Sequence, residues 1–259
     1  MKFEQYRDAT RCAELTRDDA GVLTIRLHRR GGPLMWGGVP HAELPDLFAA
    51  VASDRDNRVV ILTGTGDTFI GMTGSHFGPD LIDPDGWDRI LYEGLRLVNE
   101  LLDIDVPMIA AVNGPAIAHS ELAVLCDVVL CSDNTYFQDA AHIPGGLLPG
   151  DSMQIIWPML IGHNRGRTFL LTGRQISAQQ ALDWGVVAEV LPPAELLPRA
   201  QEIAAGIAGY HPTLLRGTRH AFTRPLKRAM LEDLHVGLSL EALAALAGRE
   251  QTRAGTSDG

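Results

Sequence analysis

No stretch of the 259 residues is long and apolar enough to cross a bilayer, and the opening Met1-Lys-Phe-Glu-Gln-Tyr-Arg-Asp lacks the apolar core of a secretion signal. Cysteine is scarce. Cys12, Cys126 and Cys131 are odd in number and follow no paired spacing, which fits reduced, structural thiols in a reducing compartment rather than a disulfide framework. Positive charge is in deficit: 22 Lys and Arg stand against 32 Asp and Glu, a formal charge of −10. That balance argues against binding nucleic acid or an anionic membrane and suits a small neutral substrate. Internal repeats and low-complexity segments are also lacking. The expected location is the cytoplasm. A hydrophobic content of 46% with 21% charged residues is ordinary for a globular protein that buries a sizeable core.

The chain alternates two kinds of pattern. Val22–Leu27 alternates apolar and polar side chains, as a half-buried strand does; Arg58–Thr63, a continuous β-branched run, and Val106–Gly114, ending in a turn, are expected to be buried strands, and Val128–Cys131 another strand. Between them, 42–52, 87–102 and 120–126 carry helical spacing, so an α/β protein is expected. After Asp151 the chain turns helical over 153–160, 165–171, 177–185 with a serine N-cap and a glycine stop, 196–208, 213–223 and 226–246. A short strand is expected at Val186–Val190. This divides the chain into a core, 1–195, and a helical C-terminal region, 196–259, whose tail from Thr252 has nothing to bury and is expected to be disordered.

The segment Phe137-Gln-Asp-Ala-Ala-His142-Ile-Pro-Gly-Gly-Leu-Leu-Pro-Gly-Asp151 places an imidazole and a carboxylate nine residues apart on glycine- and proline-rich backbone. Loops of this kind, held by a rigid scaffold, often carry catalytic groups. A histidine oriented by an aspartate takes a proton from water near neutral pH, because its ordinary pKa is about 6.5. The simpler reading is a loop histidine beside a helix N-cap aspartate. No histidine pair has metal-ligand spacing with a third partner nearby, so no zinc is expected.

Several segments, in order and spacing, resemble the crotonase (enoyl-CoA hydratase/isomerase) superfamily: Val59–Phe69, Pro107–Ala116, Leu122–Asp127, Phe137, Gly146–Gly150, Leu171–Gly173 and Ala178–Val187. The resemblance covers most of the chain. It implies a spiral of ββα repeats, a helical C-terminal trimerisation region, and trimers or dimers of trimers. Typical members bind acyl-CoA and stabilise a thioester enolate with two backbone N–H groups. This chain departs from them where that chemistry resides. The segment after the second strand reads Phe69-Ile-Gly-Met-Thr-Gly-Ser-His-Phe77, and Pro115-Ala-Ile-Ala-His-Ser-Glu121 carries His119 in place of glycine. Leu34–His41 replaces the Asn-Ala-Leu edge used for CoA, and His142 occupies the place of the hydratases' catalytic glutamate.

At Trp36, His41, His119, His142, Asp151 and Glu241 the chain is similar to one branch of the superfamily, the β-diketone hydrolases of the 6-oxocamphor hydrolase type. That resemblance implies retro-Claisen cleavage of a cyclic or bicyclic β-diketone to a keto-acid, with no coenzyme A, cofactor or metal. His142 is then the base toward water and Asp151 its orienting acid, as in a catalytic triad. Trp36 and His119, with His41 assisting, are N–H donors to the ketone oxygen, and Glu241 orders the water or His142. Phe77, Leu81 and Trp87 are expected to line the pocket. Two other readings stand: a CoA-dependent enoyl-CoA hydratase/isomerase with divergent loops, and a catalytically silent homologue.

Overall fold

The computed structural model describes residues 1–72 and 83–256, with side chains described to residue 247. Six strands form the main sheet: β1 (Ala13–Arg17), β2 (Val22–Leu27), β4 (Val59–Thr63), β6 (Met108–Val112), β7 (Val128–Ser132) and β10 (Glu189–Leu191), in that spatial order. Only the β1–β2 pair at the edge is antiparallel; the other neighbours run parallel. Parallel strands need both faces covered, which is why β4 and β6 are wholly buried and apolar apart from Thr63, whose hydroxyl donates to the Ala111 carbonyl.

The two faces sort by alternation. Val60, Leu62, Met108, Ala110 and Val112 enter the large core, while Val59, Ile61, Ile109, Ala111 and Leu130 meet Leu196, Ala200, Ala204 and Ala208 of the covering helix α8 (Pro193–Ala208). Full burial of each such Val, Ile or Leu is worth roughly 1.5–3 kcal/mol.

A second, narrow ladder runs alongside. β3 (Met35–Trp36) pairs parallel with β5 (Gly71–Met72), Ile70 bridges Ala116, Ala116 bridges Phe137 of β8 (Tyr136–Phe137), and β8 pairs with β9 (Ile176–Ser177). Helices α2 (Gly38–Ser53), α3 (Pro84–Asp103) and α4 (Glu121–Val124) follow β3, β5 and the Ala116 bridge. Each turn therefore consists of a long strand, a short strand and a helix, the expected spiral of ββα units. The chain holds a structural repeat without a sequence repeat. The turns are stitched at Asn113, whose Oδ1 accepts from the Gly64 N–H (2.9 Å) and whose amide donates to the Gly66 and Thr68 carbonyls. A Cβ on the following Gly114 would collide with the Asp67 carbonyl, so only glycine fits there.

Most expected elements lie where the patterns put them, with differences at the C-terminal side. The strand expected at Val186–Val190 is Glu189–Leu191, because Val186 and Val187 turn their side chains into the core instead of joining the ladder. The helices expected at 213–223 and 226–246 are one, α9 (Pro212–Thr256), with Pro225 inside it. The backbone expected to be disordered from Thr252 is helical as far as Thr256. Arg219 clamps α9 to the core: its guanidinium donates to Asp127 (2.6 Å) and to the Ile104 and Leu125 carbonyls. All three cysteines are free and buried. Among the described residues no helix is long and apolar enough to cross a membrane.

Candidate active site

The spiral brings side chains from six segments to one buried place. Trp36 comes from β3, His41 from the start of α2, His119 from the loop before α4, and His142 from the residue preceding a short 3₁₀ turn, Ile143–Gly145. Asp151 precedes α5 (Met153–Ile161), and Glu241 comes from α9. All six are at most 8% exposed. Glu241 reaches the site because α9 lies directly on the loop before α5. A Cβ on Gly150 would collide with the Gly237 carbonyl, and one on Gly237 would stand 2.5 Å from the Gly150 carbonyl oxygen. Two glycines at this crossing permit backbone contact, and the carboxyl one helical turn past Gly237 is carried inward.

The groups form a connected chain. The Trp36 and His119 rings stack with centroids 3.7 Å apart and planes tilted by 32°, and His41 meets both rings edge-on at 6.1 Å. Asp151 Oδ2 lies 3.4 Å from His119 Nδ1 and 3.4 Å from His142 Nε2, so one carboxylate faces two imidazoles. Glu241 Oε1 lies 3.9 Å from the same His142 Nε2. His119 adopts φ +47°, the left-handed backbone that glycine favours. Its side chain thus differs from the expected glycine while its backbone does not.

Each histidine has a second carboxyl partner that the sequence reading missed. Asp139 Oδ1 is 2.6 Å from His142 Nδ1, Glu121 Oε1 is 2.6 Å from His119 Nδ1, and Glu93 Oε2 of α3 is 2.9 Å from His41 Nδ1. Asp151, expected to hold the tautomer of His142, is therefore on the other ring nitrogen, and Asp139 occupies the orienting position. Asp139 is three residues before His142 and Glu121 two after His119, so proximity in sequence was an available signal for both. For Glu93, on a separate helix, the sequence held none.

Burial and mutual charge set the protonation states. Burial is the largest influence on His142 and opposes its charge, but Asp151 and Asp139 together outweigh it and raise its pKa well above 6.5. Burial pushes His119 down to about 4, with His142 adding to the descent and Asp151 only partly offsetting it. His41 is also lowered by burial. Asp151, though buried, is held well below the usual carboxylate range by His142 and His119. Burial raises Glu241 to about 8 and Glu121 well above its ordinary value, each helped by the Asp151 charge. The site thus contains an imidazolium, two neutral imidazoles, an aspartate and two protonated glutamic acids. A carboxylic acid and a charged imidazole whose pKa values are displaced in this way are candidates for proton transfer.

Among the described residues, His119, Glu121 and Asp151 are the group whose potential metal ligands lie within 4.8 Å of one another. The 2.6 Å between His119 and Glu121 is a hydrogen-bond length, whereas ligands on a zinc bound at about 2.0–2.2 Å stand more than roughly 3 Å apart. As arranged, the donor set does not fit a metal. Phe77 and Leu81, expected to line the pocket, lie outside the described residues. Trp87 is buried with Ile90 against Ala245, Ala242 and Leu147, on the α3–α9 seam. A cavity of about 300 Å³ lined by Val39, Ile90, Arg89, His41 and Glu93 reaches the His41 edge of the cluster. A larger one of about 540 Å³ lies among the charged residues Arg17, Asp18, Asp56 and Arg58, away from these groups.

Comparison with known proteins agrees with the fold and divides on chemistry. The family model for enoyl-CoA hydratase/isomerase matches residues 17–248. A carnitinyl-CoA dehydratase of Proteus mirabilis is 29% identical over 214 residues, covering 78% of this chain and 76% of that protein. Among solved structures, a β-diketone hydrolase from the cyanobacterium Anabaena, bound to (S)-3-oxocyclohexyl acetic acid, superimposes with a TM-score of 0.92 at 43% identity, covering 95% of this chain and 98% of that one. An enoyl-CoA hydratase/isomerase from Mycobacterium paratuberculosis reaches a TM-score of 0.83 at 27% identity, covering 92% and 95%.

Proposed function

The chain belongs to the enoyl-CoA hydratase/isomerase family, the crotonase superfamily, and within it we propose that it is a hydrolase that opens a cyclic or bicyclic β-diketone to a keto-acid. The observation that carries this reading is the buried array of His142, Asp151, His119, Trp36 and Glu241. It supplies a base, a flanking carboxylate and side-chain N–H donors, with no dependence on a thioester. The 43% identity to a β-diketone hydrolase supports it, and the ligand bound to that protein is itself a keto-acid.

In the proposed reaction His142, in its neutral form, takes a proton from water through Nε2 while Asp139 holds Nδ1. The resulting hydroxide adds to one carbonyl carbon of a non-enolisable 1,3-diketone. Trp36 and His119 donate to the developing oxyanion, where loss of one such donor typically costs about 2.7–4 kcal/mol. The tetrahedral intermediate collapses and the bond to the carbon between the carbonyls breaks. Its electron pair becomes the enolate of the second ketone. The His142 imidazolium returns the proton to that carbon, leaving a carboxylic acid and a ketone. Asp151 stabilises the imidazolium from the Nε2 side, and Glu241, as an acid, orders the water. We include in the same reading a neutral diketone as substrate, a cytoplasmic location, and a trimer or dimer of trimers formed by the C-terminal helices.

The test is a panel of 2,2-disubstituted cyclohexane-1,3-diones, bicyclo-octane diketones and terpene diketones, followed by loss of ultraviolet absorbance and by chiral chromatography of the keto-acid. Turnover of at least one class without coenzyme A is expected. Crotonyl-CoA hydration with no diketone turned over would replace this reading with the CoA-dependent one.

A further inference from the structure

We propose that Glu121 is a positioning residue: as the neutral acid it donates its O–H to Nδ1 of His119, which keeps the imidazole's own proton on Nε2, free to be given to the substrate carbonyl. The inference rests on the proposed function, since it assigns His119 its donor form.

Two carboxyl oxygens converge on His119 Nδ1, Glu121 Oε1 at 2.6 Å and Asp151 Oδ2 at 3.4 Å. The ring cannot swing away, because Trp36 stacks on it at 3.7 Å and its backbone is fixed at φ +47°. A proton on Glu121 Oε2 would have no acceptor among the described residues, so three protonation patterns are available to the pair. In the first, a neutral His119 carries its proton on Nδ1 and donates to a Glu121 carboxylate. Nε2 is then a bare lone pair, useless toward an electron-rich oxygen. In the second, His119 is a cation. That places two imidazolium rings on the same Asp151 carboxylate in a buried site, which burial and the His142 charge both oppose. The third puts the proton on Glu121 and leaves Nδ1 as acceptor, so neutral His119 must carry its proton on Nε2.

The surroundings of Glu121 favour the third. It is completely buried, its Oε2 has no partner among the described residues, and neither it nor Asp139, Asp151 or Glu241 pairs with lysine or arginine there. Four carboxylates around His119 and His142 would be a large uncompensated charge in low dielectric, and the protein relieves it by retaining protons. Burial and the adjacent Asp151 hold Glu121 in its acid form. The neighbouring pair is the converse. At His142 the Nδ1 partner is Asp139, which helps to hold that ring as an imidazolium. Two histidines on one aspartate are thereby set to different forms by their outer partners.

The experiment combines ¹⁵N NMR of histidine-labelled protein, with His119→Gln to assign the signals, and steady-state kinetics on a diketone substrate. Wild type and Glu121→Gln, whose amide N–H also donates to Nδ1, are expected to show the Nε2–H tautomer at His119. Glu121→Gln should keep kcat within about 10-fold of wild type. Glu121→Leu, with no donor, should show an Nδ1–H or mixed tautomer and lose about 10²-fold in kcat with KM nearly unchanged, the loss typical of a missing oxyanion donor. An Nδ1–H tautomer in wild type, or Glu121→Gln as slow as Glu121→Leu, would overturn the proposal. If wild type turns over no diketone, the functional reading fails, and the tautomer measured by NMR still decides the role of Glu121.

Discussion

Arg219 with Asp127, and the carboxyls around His119 and His142, are both charged clusters buried under α9, and they treat charge in opposite ways. Each nitrogen of Arg219 has an acceptor, and both oxygens of Asp127 accept, one from Arg219 and one from the Met108 N–H. Around the histidines, Glu121 Oε2, Asp139 Oδ2, Asp151 Oδ1 and Glu241 Oε2 have no partner among the described residues. A buried polar network kept for the fold gains from satisfying each of its groups, because each idle group costs about 1–3 kcal/mol or more. One that leaves several carboxyl oxygens idle costs stability and is retained where chemistry uses the groups. The difference sets the Arg219 clamp, with every group paired, apart from the histidine cluster, with four carboxyl oxygens idle.

The largest effect is expected at His142. His142→Ala should lower diketone turnover per folded molecule by about 10²–10⁴, measured by kinetics and thermal unfolding on the same preparation. Turnover per folded molecule close to wild type would move His142 to the scaffold side of the comparison. Arg219→Leu should do the reverse. It leaves Asp127 buried and costs about 3–5 kcal/mol in urea unfolding, while turnover per folded molecule stays close to wild type. Next comes His119→Ala, with kcat reduced about 10²–10³ and no comparable loss of stability.

pH sharpens the contrast further. The base must be neutral to act and its pKa is raised, so kcat/KM should rise with pH along a limb lying above pH 6.5. Asp139→Asn removes one of the raising carboxylates and should shift that limb toward 6.5; an unmoved limb would contradict the pairing at Nδ1. The smallest effect concerns Glu241. Its folded pKa, about 8, lies above the ordinary carboxyl value of 4.5, so the stability its protonated form contributes is fully present below that ordinary value and lost as pH rises through about 8. Glu241→Gln cannot ionise, and its melting temperature should gain on wild type between pH 6 and pH 9. A constant difference would mean that Glu241 is not the buried acid described.

Much of the scaffold was legible because its signals are local. Buried parallel strands such as β4 and β6 show as runs of apolar and β-branched residues, and α7 (Ala178–Asp183) announces itself with a Ser177 cap that accepts from the Gln180 N–H. The narrow ladder of β3, β5 and β8 was not, since two-residue strands have no period to detect. Pro225 reads as a helix break, but α9 continues through it, with Arg219 and Thr223 buried before it and Met230 and Leu234 after. At the site, resemblance to the β-diketone hydrolases picked out Trp36, His41, His119, His142, Asp151 and Glu241, and the fold brings all six together. It did not indicate which carboxyl faces which ring nitrogen. That depends on side-chain packing over a few ångströms, and so Asp139 and Glu121 emerged only from the coordinates.

The most direct test is hydrolysis of a bicyclo-octane 1,3-dione in ¹⁸O-labelled water without coenzyme A, analysed by mass spectrometry of the product. A single labelled oxygen in the carboxyl group of a ring-opened keto-acid, abolished by His142→Ala, is the predicted result. Unchanged diketone from an enzyme that hydrates crotonyl-CoA would contradict the account.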